Sequence, residues 1–253
     1  MIVLLHVVRR CYLLSLCGIT MRSKTKLLSI IETLEKIYVP WKWEIRDPFK
    51  ILVSTILSQR TSWKNVRKAV DRLESKIGIN PKNIAEANLE NIKECIKVAG
   101  LYNAKSVRIK EIARIIVEKY DGDLSKVLNL PLEDARKELL SLPGVGFKTA
   151  DVILLFAANK RVFPVDTHIM RISKRLGIVK GRFNYENIRH VWEKALPRDK
   201  YAVAHILLII FGREICKSGK PLCDKCSIAR FCKFYEKLKG GARGESSKER
   251  VAY

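Results

Sequence analysis

The chain is poor in acidic residues. Its 253 residues include 26 Asp and Glu against 49 Lys and Arg, which gives a formal net charge of +23. An excess of this size repels itself in a folded protein unless a polyanionic partner compensates it. The composition therefore indicates nucleic acid as the partner, with an acidic membrane surface as the alternative. Because residues 1–20 and 239–253 each carry only +2, the basic surface belongs to the folded body rather than to a flexible arm.

The sequence also lacks an apolar run long enough to cross a membrane. Arg9 and Arg10 split the apolar residues 1–20 into pieces much shorter than the about 20 residues that span a bilayer. No small-residue cleavage site follows them. We therefore expect a cytoplasmic, nucleoid-associated protein whose natural start is Met21, with residues 1–20 as an upstream extension. Residues 238–253 are rich in Gly, Ser and charge and predict a disordered basic tail.

No segment shows the sustained alternation of apolar and polar residues that is typical of a half-buried β-strand. Apolar residues instead recur every three or four positions, which predicts an all-α protein of short, capped helices. Ser23 and Ser62 are candidate helix caps. The predicted helices cover residues 27–37, 49–57, 62–77, 89–98, 109–120, 132–140, 148–158, 167–176, 185–196 and 201–211.

A turn between two of these helices is typical of a helix-hairpin-helix motif. In LPGVGFKTA, residues 142–150, Pro143 ends one helix and two glycines permit a tight reversal before the next. Such a turn can present backbone N–H groups to a DNA phosphate without reading the base sequence. The alternative is an ordinary turn between two helices. The predicted DNA-binding residues of this turn are Gly144, Val145, Gly146 and Thr149.

Lys148 is predicted to lie in the first turn of the second hairpin helix. The positive end of the helix dipole and the basic chain both favour an uncharged amine there. An uncharged amine is a nucleophile that can form a Schiff base with a masked aldehyde. The alternative is a charged lysine that binds phosphate.

Asp166, in the segment VDTH, lies eighteen positions after Lys148. One helix and a return loop can bring two side chains at this spacing together. The carboxylate would then stabilise an oxocarbenium-like sugar while the amine takes C1′ of a nucleoside. The alternative is a simple helix cap. For the neighbouring His168, packing or hydrogen bonding is favoured over proton transfer.

Four of the seven cysteines lie within seventeen residues, with the spacing C-x6-C-x2-C-x5-C. In a reducing compartment this pattern indicates metal ligands rather than disulfides. Loops of these lengths can wrap a [4Fe–4S] cluster. A zinc site is the alternative, although zinc sites usually contain two C-x2-C pairs and this segment contains one. The candidate ligands are Cys216, Cys223, Cys226 and Cys232, whereas Cys95 is expected to be a core residue.

These motifs resemble the endonuclease III family of helix-hairpin-helix DNA glycosylases. LPGVGFKTA, VDTH, His205 and Gly212-Arg213 precede the four cysteines in the order and spacing of that family, over Met21 to Lys237. The resemblance implies that Lys148 is the catalytic lysine, that Asp166 is the catalytic aspartate, and that the four cysteines hold a [4Fe–4S] cluster. It also implies two helical lobes with the active-site cleft between them. The implied lobes are a helical barrel with the hairpin, residues 41–160, and a cluster lobe, residues 21–40 and 161–237.

Two further segments resemble loops of that family. ILSQRT, residues 56–61, resembles the loop whose glutamine enters the duplex opposite an extruded nucleotide, which implies this role for Gln59. AGLYNAK, residues 99–105, resembles the loop that supplies an apolar wedge, which implies this role for Leu101. Base flipping leaves a void and costs a few kcal/mol of stacking, so a polar filler and an apolar wedge are physically reasonable.

Three departures from the family pattern are expected to affect substrate preference rather than reaction type. Phe147 replaces the polar or basic residue common before the lysine. Phe211 stands where a histidine often precedes Gly-Arg. Residues 121–132 are longer than in the bacterial version.

The resulting hypothesis is a monomeric base-excision repair glycosylase with abasic-site lyase activity, acting on damaged, oxidised pyrimidines in duplex DNA. Lys148 argues against a monofunctional mismatch or adenine glycosylase, because those relatives hydrolyse through water and usually lack a lysine there. A non-catalytic DNA-binding module is a second alternative. A small iron–sulfur electron carrier is a third, but it would not need a DNA hairpin or a charge of +23.

Overall fold

The computed structural model of this chain describes residues 21–40 and 47–241. These residues form thirteen α-helices and four short 3-10 helices and contain no β-strand, which confirms the all-α prediction. None of the described helices has the length and apolar character needed to cross a membrane. Residues 1–20, predicted to be an extension, and residues 242–253 of the predicted tail lie outside the described residues. Residues 238–241, also assigned to that tail, belong to the last helix, Lys233–Gly241.

The chain divides into two compact units. Of the described residues, 47–164 form one unit, here called the hairpin unit, and 21–40 with 165–241 form the other, called the cysteine unit. The second division follows Pro164, whereas the sequence analysis placed it after residue 160.

The hairpin unit contains eight of the helices. They are α2 Pro48–Leu57, α3 Trp63–Lys76, α4 Pro81–Glu86, α5 Leu89–Ile96, α6 Tyr102–Tyr120, α7 Ser125–Leu128, α8 Leu132–Ser141 and α9 Phe147–Phe156. The side chain of Ser62 caps α3 by accepting a hydrogen bond from the Asn65 N–H. Helices α4 and α7 are too short to give a periodic signal, and the sequence analysis did not predict them.

Helices α2 and α9 form the centre of the hairpin unit. Asp47 caps α2, its carboxylate accepting from the Lys50 N–H at 2.7 Å, and Pro48 supplies a favourable first residue. Residues 51–57 of α2 and 149–155 of α9 are all buried. The two helices pack against each other. Because α9 is anchored in the core along its length, the hairpin that precedes it is fixed to a rigid base.

A buried ion pair joins the two helices of the hairpin. Arg136 of α8 donates from Nε to Oδ1 of Asp151 in α9 at 2.7 Å, and Nη2 lies 3.4 Å from Oδ2. The Asp151 side chain is fully buried, and that of Arg136 is nearly so. A charge pair at this depth needs both partners, since a lone buried ion has no water to solvate it. The pair therefore fixes α8 and α9 relative to each other.

The cysteine unit contains five helices, contributed by both ends of the described chain. They are α1 Met21–Glu35, α10 Thr167–Leu176, α11 Tyr185–Ala195, α12 Tyr201–Glu214 and α13 Lys233–Gly241. Helix α1 packs against α11 and α12, and Lys200 donates to both carboxylate oxygens of Glu35, at 2.7 and 2.9 Å. Ser23 lies inside α1, so the prediction that it caps this helix was wrong.

The buried pair gives a stability prediction. We expect Asp151→Asn to lower the free energy of unfolding by about 3 kcal/mol, because it removes the carboxylate charge that the buried Arg136 guanidinium pairs with in α9. Urea denaturation followed by circular dichroism measures the change. The control is Glu90→Gln, which removes the exposed pair with Lys93 and should cost at most about 0.5 kcal/mol. Equal losses for the two variants would show that the Asp151 pair does not fix the hairpin helices.

Candidate functional site

The turn between α8 and α9 is closed by its own backbone. The N–H of Val145 donates to the carbonyl of Leu142 at 3.1 Å, and the Val145 side chain is buried. Gly144 has a φ of +67°, and a Cβ at this position would lie 2.1 Å from Nε of Arg108. Both observations require glycine, since a side chain would be strained and would displace a guanidinium.

Gly146 presents the open side of the hairpin. Its backbone is extended, and its carbonyl accepts the first hydrogen bond of α9, from the Ala150 N–H at 3.0 Å. A Cβ added at Gly146 would have no atom within 4 Å, so a ligand can approach the backbone closely. The N–H of Val145, also predicted to bind phosphate, donates to the carbonyl of Leu142 within the turn. The Thr149 side chain is buried, which leaves its backbone as the group that could face a ligand.

Lys148 is the second residue of α9 and is half-buried. It lies in the first turn of α9, as the sequence predicted. The N–H groups of a first turn make no hydrogen bond within the helix itself. The preceding residue, Phe147, is 46% exposed, and the Arg136 guanidinium lies over its ring, 5.0 Å from the centroid. Phe147, which departs from the family pattern, therefore packs against Arg136 of the buried ion pair.

Gln59 and Leu101 lie in two separate loops of the hairpin unit. The Gln59 Oε1 accepts from Nη1 of Arg108 at 3.2 Å. Leu101 directly precedes α6 and is 55% exposed, which is unusual for a large apolar side chain. The backbone is left-handed at Leu101 and at Arg60, with φ of +50° and +53°. Such backbone angles are uncommon for non-glycine residues and must be held by their surroundings.

A buried lysine, which the sequence analysis missed, lies under both loops. Lys105 is 2% exposed, and its Nζ donates to the carbonyls of Leu57, Gln59 and Ala99 at 2.8, 2.8 and 3.0 Å. Burial lowers the pKa of this ammonium from its ordinary value. One sequence signal could have found it, because Lys105 occupies the first position of the buried stripe that continues at Ile109, Ile112 and Ile116.

In the cysteine unit, Asp166 caps α10. Its Oδ1 accepts from the Ile169 N–H at 2.8 Å, so the capping interaction weighed from the sequence is present. This bond uses one oxygen of the carboxylate and is compatible with a second role for the other. Asp166 belongs to the cysteine unit and Lys148 to the hairpin unit.

His168 is a packing histidine in the first turn of α10. Its Nδ1 lies 3.0 Å from Nη2 of Arg171, which also donates to the carbonyl of Gly212. A Cβ at Gly212 would lie 2.7 Å from that of His168, so glycine is required for the close approach of α10 and α12. Burial lowers the pKa of the imidazole; Asp166 opposes this effect, whereas the positive charges of Arg171 and Arg213 add to it.

The four predicted ligand cysteines line one cavity in the cysteine unit. Its walls are otherwise mainly apolar, with Ile172, Leu176, Phe211 and Ile228 among them. Arg175 donates from Nη1 to Sγ of Cys216 at 3.1 Å. Burial, together with the charges of the other three cysteines, raises the pKa of Cys226 to about 11.

Four thiolates that repel one another are stable together only when a positive centre binds them. The donor set is soft, and an arginine lies beside one sulfur. These features fit a thiolate-ligated metal group. Among the described residues, no set of three or more His, Cys, Asp or Glu side chains forms a site for a single metal ion.

Comparisons with known proteins agree with this geometry. Residues 53–198 match the family model "HhH-GPD superfamily base excision DNA repair protein". The chain is 41% identical to endonuclease III of Thermotoga maritima over 203 residues, or 80% of this chain and 91% of that protein. It is 34% identical to endonuclease III of Escherichia coli over 192 residues, or 76% and 86% of the two chains.

Solved structures show the same relationship. A trapped covalent endonuclease III–DNA intermediate, the estranged-adenine complex, superposes with a TM-score of 0.73 at 29% identity, over 85% of this chain and 98% of that one. A thermostable thymine-DNA glycosylase has a TM-score of 0.72 at 28% identity, over 84% and 98%. The protein described here therefore belongs to the endonuclease III family, within the HhH-GPD superfamily of base excision DNA repair proteins.

Proposed function

We propose that this protein is a bifunctional DNA glycosylase and abasic-site lyase that removes damaged, oxidised pyrimidines from duplex DNA. The observation that carries the proposal is Lys148, a primary amine in the first turn of the helix that follows the hairpin. Relatives named endonuclease III, at 41% and 34% identity, support the same activity. Since its substrate is DNA, we propose that the enzyme acts at the nucleoid, in the cytoplasm. We also propose that it acts as a monomer.

The reaction follows from the chemistry of an amine. Nζ of Lys148 attacks C1′ of the extruded nucleotide, and the bond between C1′ and the damaged base breaks as the base leaves with a proton. The sugar ring opens to an imine between C1′ and Nζ. Loss of a proton from C2′ then expels the 3′ phosphate and breaks the strand. Water hydrolyses the imine and returns the free lysine.

Asp166 supplies the carboxylate in this proposal. Positive charge develops on the sugar as the base departs, and a carboxylate stabilises that charge. Because Asp166 is held by its cap to the Ile169 N–H at 2.8 Å, its orientation is fixed before the substrate binds. A fixed charge needs no reorganisation during the reaction.

DNA binding uses groups that the hairpin unit already presents. The amides at Gly146 and in the first turn of α9 would bind a backbone phosphate on the open side of the turn. Gln59 would enter the duplex opposite the extruded nucleotide, and the exposed Leu101 would act as the wedge. The net charge of +23 adds affinity that weakens as salt rises.

We assign a [4Fe–4S] cluster to the cavity that Cys216, Cys223, Cys226 and Cys232 line. The cluster would cross-link the segment between the end of α12 and the start of α13. This segment contains only two short 3-10 helices. The Arg175 guanidinium would offset part of the thiolate charge. A zinc ion is the alternative that the sequence leaves open, but no set of three or more His, Cys, Asp or Glu side chains among the described residues forms a site for a single metal ion.

A monofunctional glycosylase is the second candidate, because the thermostable thymine-DNA glycosylase is similar in structure, with a TM-score of 0.72. Such an enzyme releases a base through water and leaves the strand intact. Lys148 favours the bifunctional reaction, since no water-based mechanism needs a nucleophilic amine at this position.

The nucleophile is tested by reductive trapping. In borohydride, the protein incubated with a duplex containing an oxidised pyrimidine should form a covalent adduct with DNA, and Lys148→Gln should form none, because the imine is lost. Denaturing gel electrophoresis detects the adduct. The control is Lys137→Gln, which makes the same substitution at an exposed position on α8 and should trap normally. Adduct formation by Lys148→Gln would refute the assignment.

Two variants separate the two roles of Asp166. Asparagine also caps helices well, so Asp166→Asn should change the free energy of unfolding by less than about 0.5 kcal/mol. The same variant should slow single-turnover base release by about hundredfold, since it lacks the negative charge. Asp166→Ala should slow release similarly and also lose about 1 kcal/mol of stability. If Asp166→Asn released bases at the normal rate, Asp166 would be a cap alone.

The cluster is tested by its composition. Purified protein should contain iron and acid-labile sulfide in equal amounts and absorb visible light, and Cys226→Ala should lose both the iron and the absorbance. Elemental analysis and visible spectroscopy measure these properties. The control is Cys95→Ala, a buried cysteine of the hairpin unit, which should keep the cluster. Zinc in place of iron, without sulfide, would contradict the assignment.

A further inference from the structure

The start of α6 contacts both loops that are proposed to enter DNA. Nζ of Lys105 binds the carbonyls of Leu57, at the end of α2, and of Gln59, in the loop that follows, and it binds the carbonyl of Ala99 in the other loop, all at 2.8–3.0 Å. Leu57 and Ala99 are distant in sequence, and the ammonium joins the backbone segments that contain them. Because these are main-chain contacts, Lys105 fixes the paths of the loops and not only the positions of their side chains.

The ammonium group suits this position closely. It has three N–H donors, and the structure provides three carbonyl acceptors for them. No apolar side chain could replace these bonds, and a buried carbonyl without a partner is strongly unfavourable. The chain therefore accepts the burial of a positive charge in order to hold two loops together.

Arg108, one turn further along α6, adds a second connection. Its Nη1 donates to Oε1 of Gln59 at 3.2 Å, and its Nε lies 2.1 Å from the position that a Cβ of Gly144 would take. The guanidinium thus lies against the hairpin turn while it orients the glutamine side chain. Lys105 and Arg108 together connect the Gln59 loop, the Leu101 loop and the hairpin through one helix.

Both loops contain strained backbone that needs such support. Arg60 and Leu101 are left-handed, with φ of +53° and +50°, although neither is glycine. Arg60 directly follows Gln59, whose carbonyl accepts from Lys105. Leu101 directly follows Gly100, itself at φ +67°. Gly100 in turn follows Ala99, whose carbonyl also accepts from Lys105. Residues with these angles keep them only where the surrounding structure holds them.

We propose that Lys105, assisted by Arg108, is a positioning residue that holds the Gln59 and Leu101 loops at one fixed spacing, so that both enter the duplex as a single preformed element. This inference rests on the proposed function, because it assumes that the enzyme extrudes a base. A preformed element avoids ordering two loops at the moment of extrusion, which would otherwise oppose binding. Lys105 itself does not touch the reacting atoms.

The substrate separates this role from a general effect on folding. Extrusion from a duplex requires both loops, whereas an abasic sugar in single-stranded DNA has no base to extrude and no opposite strand. We expect Lys105→Met to slow single-turnover excision from duplex DNA by about tenfold to hundredfold. Borohydride trapping on a single-stranded abasic site should change by less than about twofold, since Lys148 is unaffected.

The matched control is Lys110→Met. Lys110 lies on the same helix, and its Nζ also binds two main-chain carbonyls, those of Ala85 and Ala87. Burial lowers the pKa of its ammonium as well. It differs from Lys105 in contacting neither loop, so Lys110→Met should leave the ratio of duplex excision to single-strand trapping unchanged.

Amide hydrogen exchange of the DNA-free protein gives a readout that does not depend on activity. Lys105→Met should accelerate exchange in residues 58–60 and 99–101 together, and Lys110→Met should not. If Lys105→Met fails to fold, Arg108→Met carries the test, because it keeps the buried lysine and should lower the same excision ratio by releasing Gln59.

Three results would overturn the inference. The first is that Lys105→Met loses as much trapping on single-stranded abasic DNA as it loses excision from duplex DNA. The second is that amide exchange in either loop is unchanged in Lys105→Met. The third applies if Lys105→Met does not fold, and it is an unchanged ratio of duplex excision to single-strand trapping in Arg108→Met. Failure of the unaltered protein to trap abasic DNA would count against the proposed function instead. The exchange measurement would still decide whether Lys105 holds the loops.

Discussion

The absence of a side chain at Gly144 is the constraint on which the rest of the hairpin unit depends. Arg108 occupies the space that a Cβ would fill, and the positive φ of Gly144 turns the chain sharply enough for Val145 to point into the core. That turn places Gly146 on the open side and starts α9 with Lys148 in its first turn. Lys148, the proposed nucleophile, therefore owes its place at the helix N-terminus to backbone geometry, and Arg108 extends the same geometry to Gln59.

Buried charges give the hairpin unit its rigidity, although the protein as a whole has an excess of cations. Arg136 is paired with Asp151, and Lys105 is surrounded by carbonyls. The first joins the two consecutive helices of the hairpin, the second joins residues 48 positions apart, and each lies beside a group proposed to act on DNA. Extruding a base from a stacked duplex is uphill, so a surface that is already ordered leaves more of the binding energy for extrusion. The basic surface attracts DNA, whereas these buried cations shape the protein that receives it.

Local sequence signals predicted the features that depend on a few neighbouring residues. Ten of the thirteen described helices, the cap at Ser62 and the hairpin follow from periodicity, polar caps and glycine spacing, as does the N-terminal position of Lys148. The contacts of Lys105 and Asp151 could not be predicted in this way, because their partners lie elsewhere in the chain. Periodicity alone does show both residues on buried helix faces, where a charge requires a partner. The hydrogen bond from the Val145 N–H to the carbonyl of Leu142 was missed for a similar reason, since only the closed turn shows it.

The central claim is that the Lys148 amine, in the first turn of the helix after the hairpin, forms a bond with C1′ of the sugar. Peptide mapping by tandem mass spectrometry, after borohydride reduction of the protein with lesion-bearing duplex, tests this claim most directly. The account predicts that the sugar remnant lies on Lys148, in the peptide that contains the LPGVGFKTA turn. A remnant on another side chain, or strand cleavage with no remnant on the protein, would contradict it.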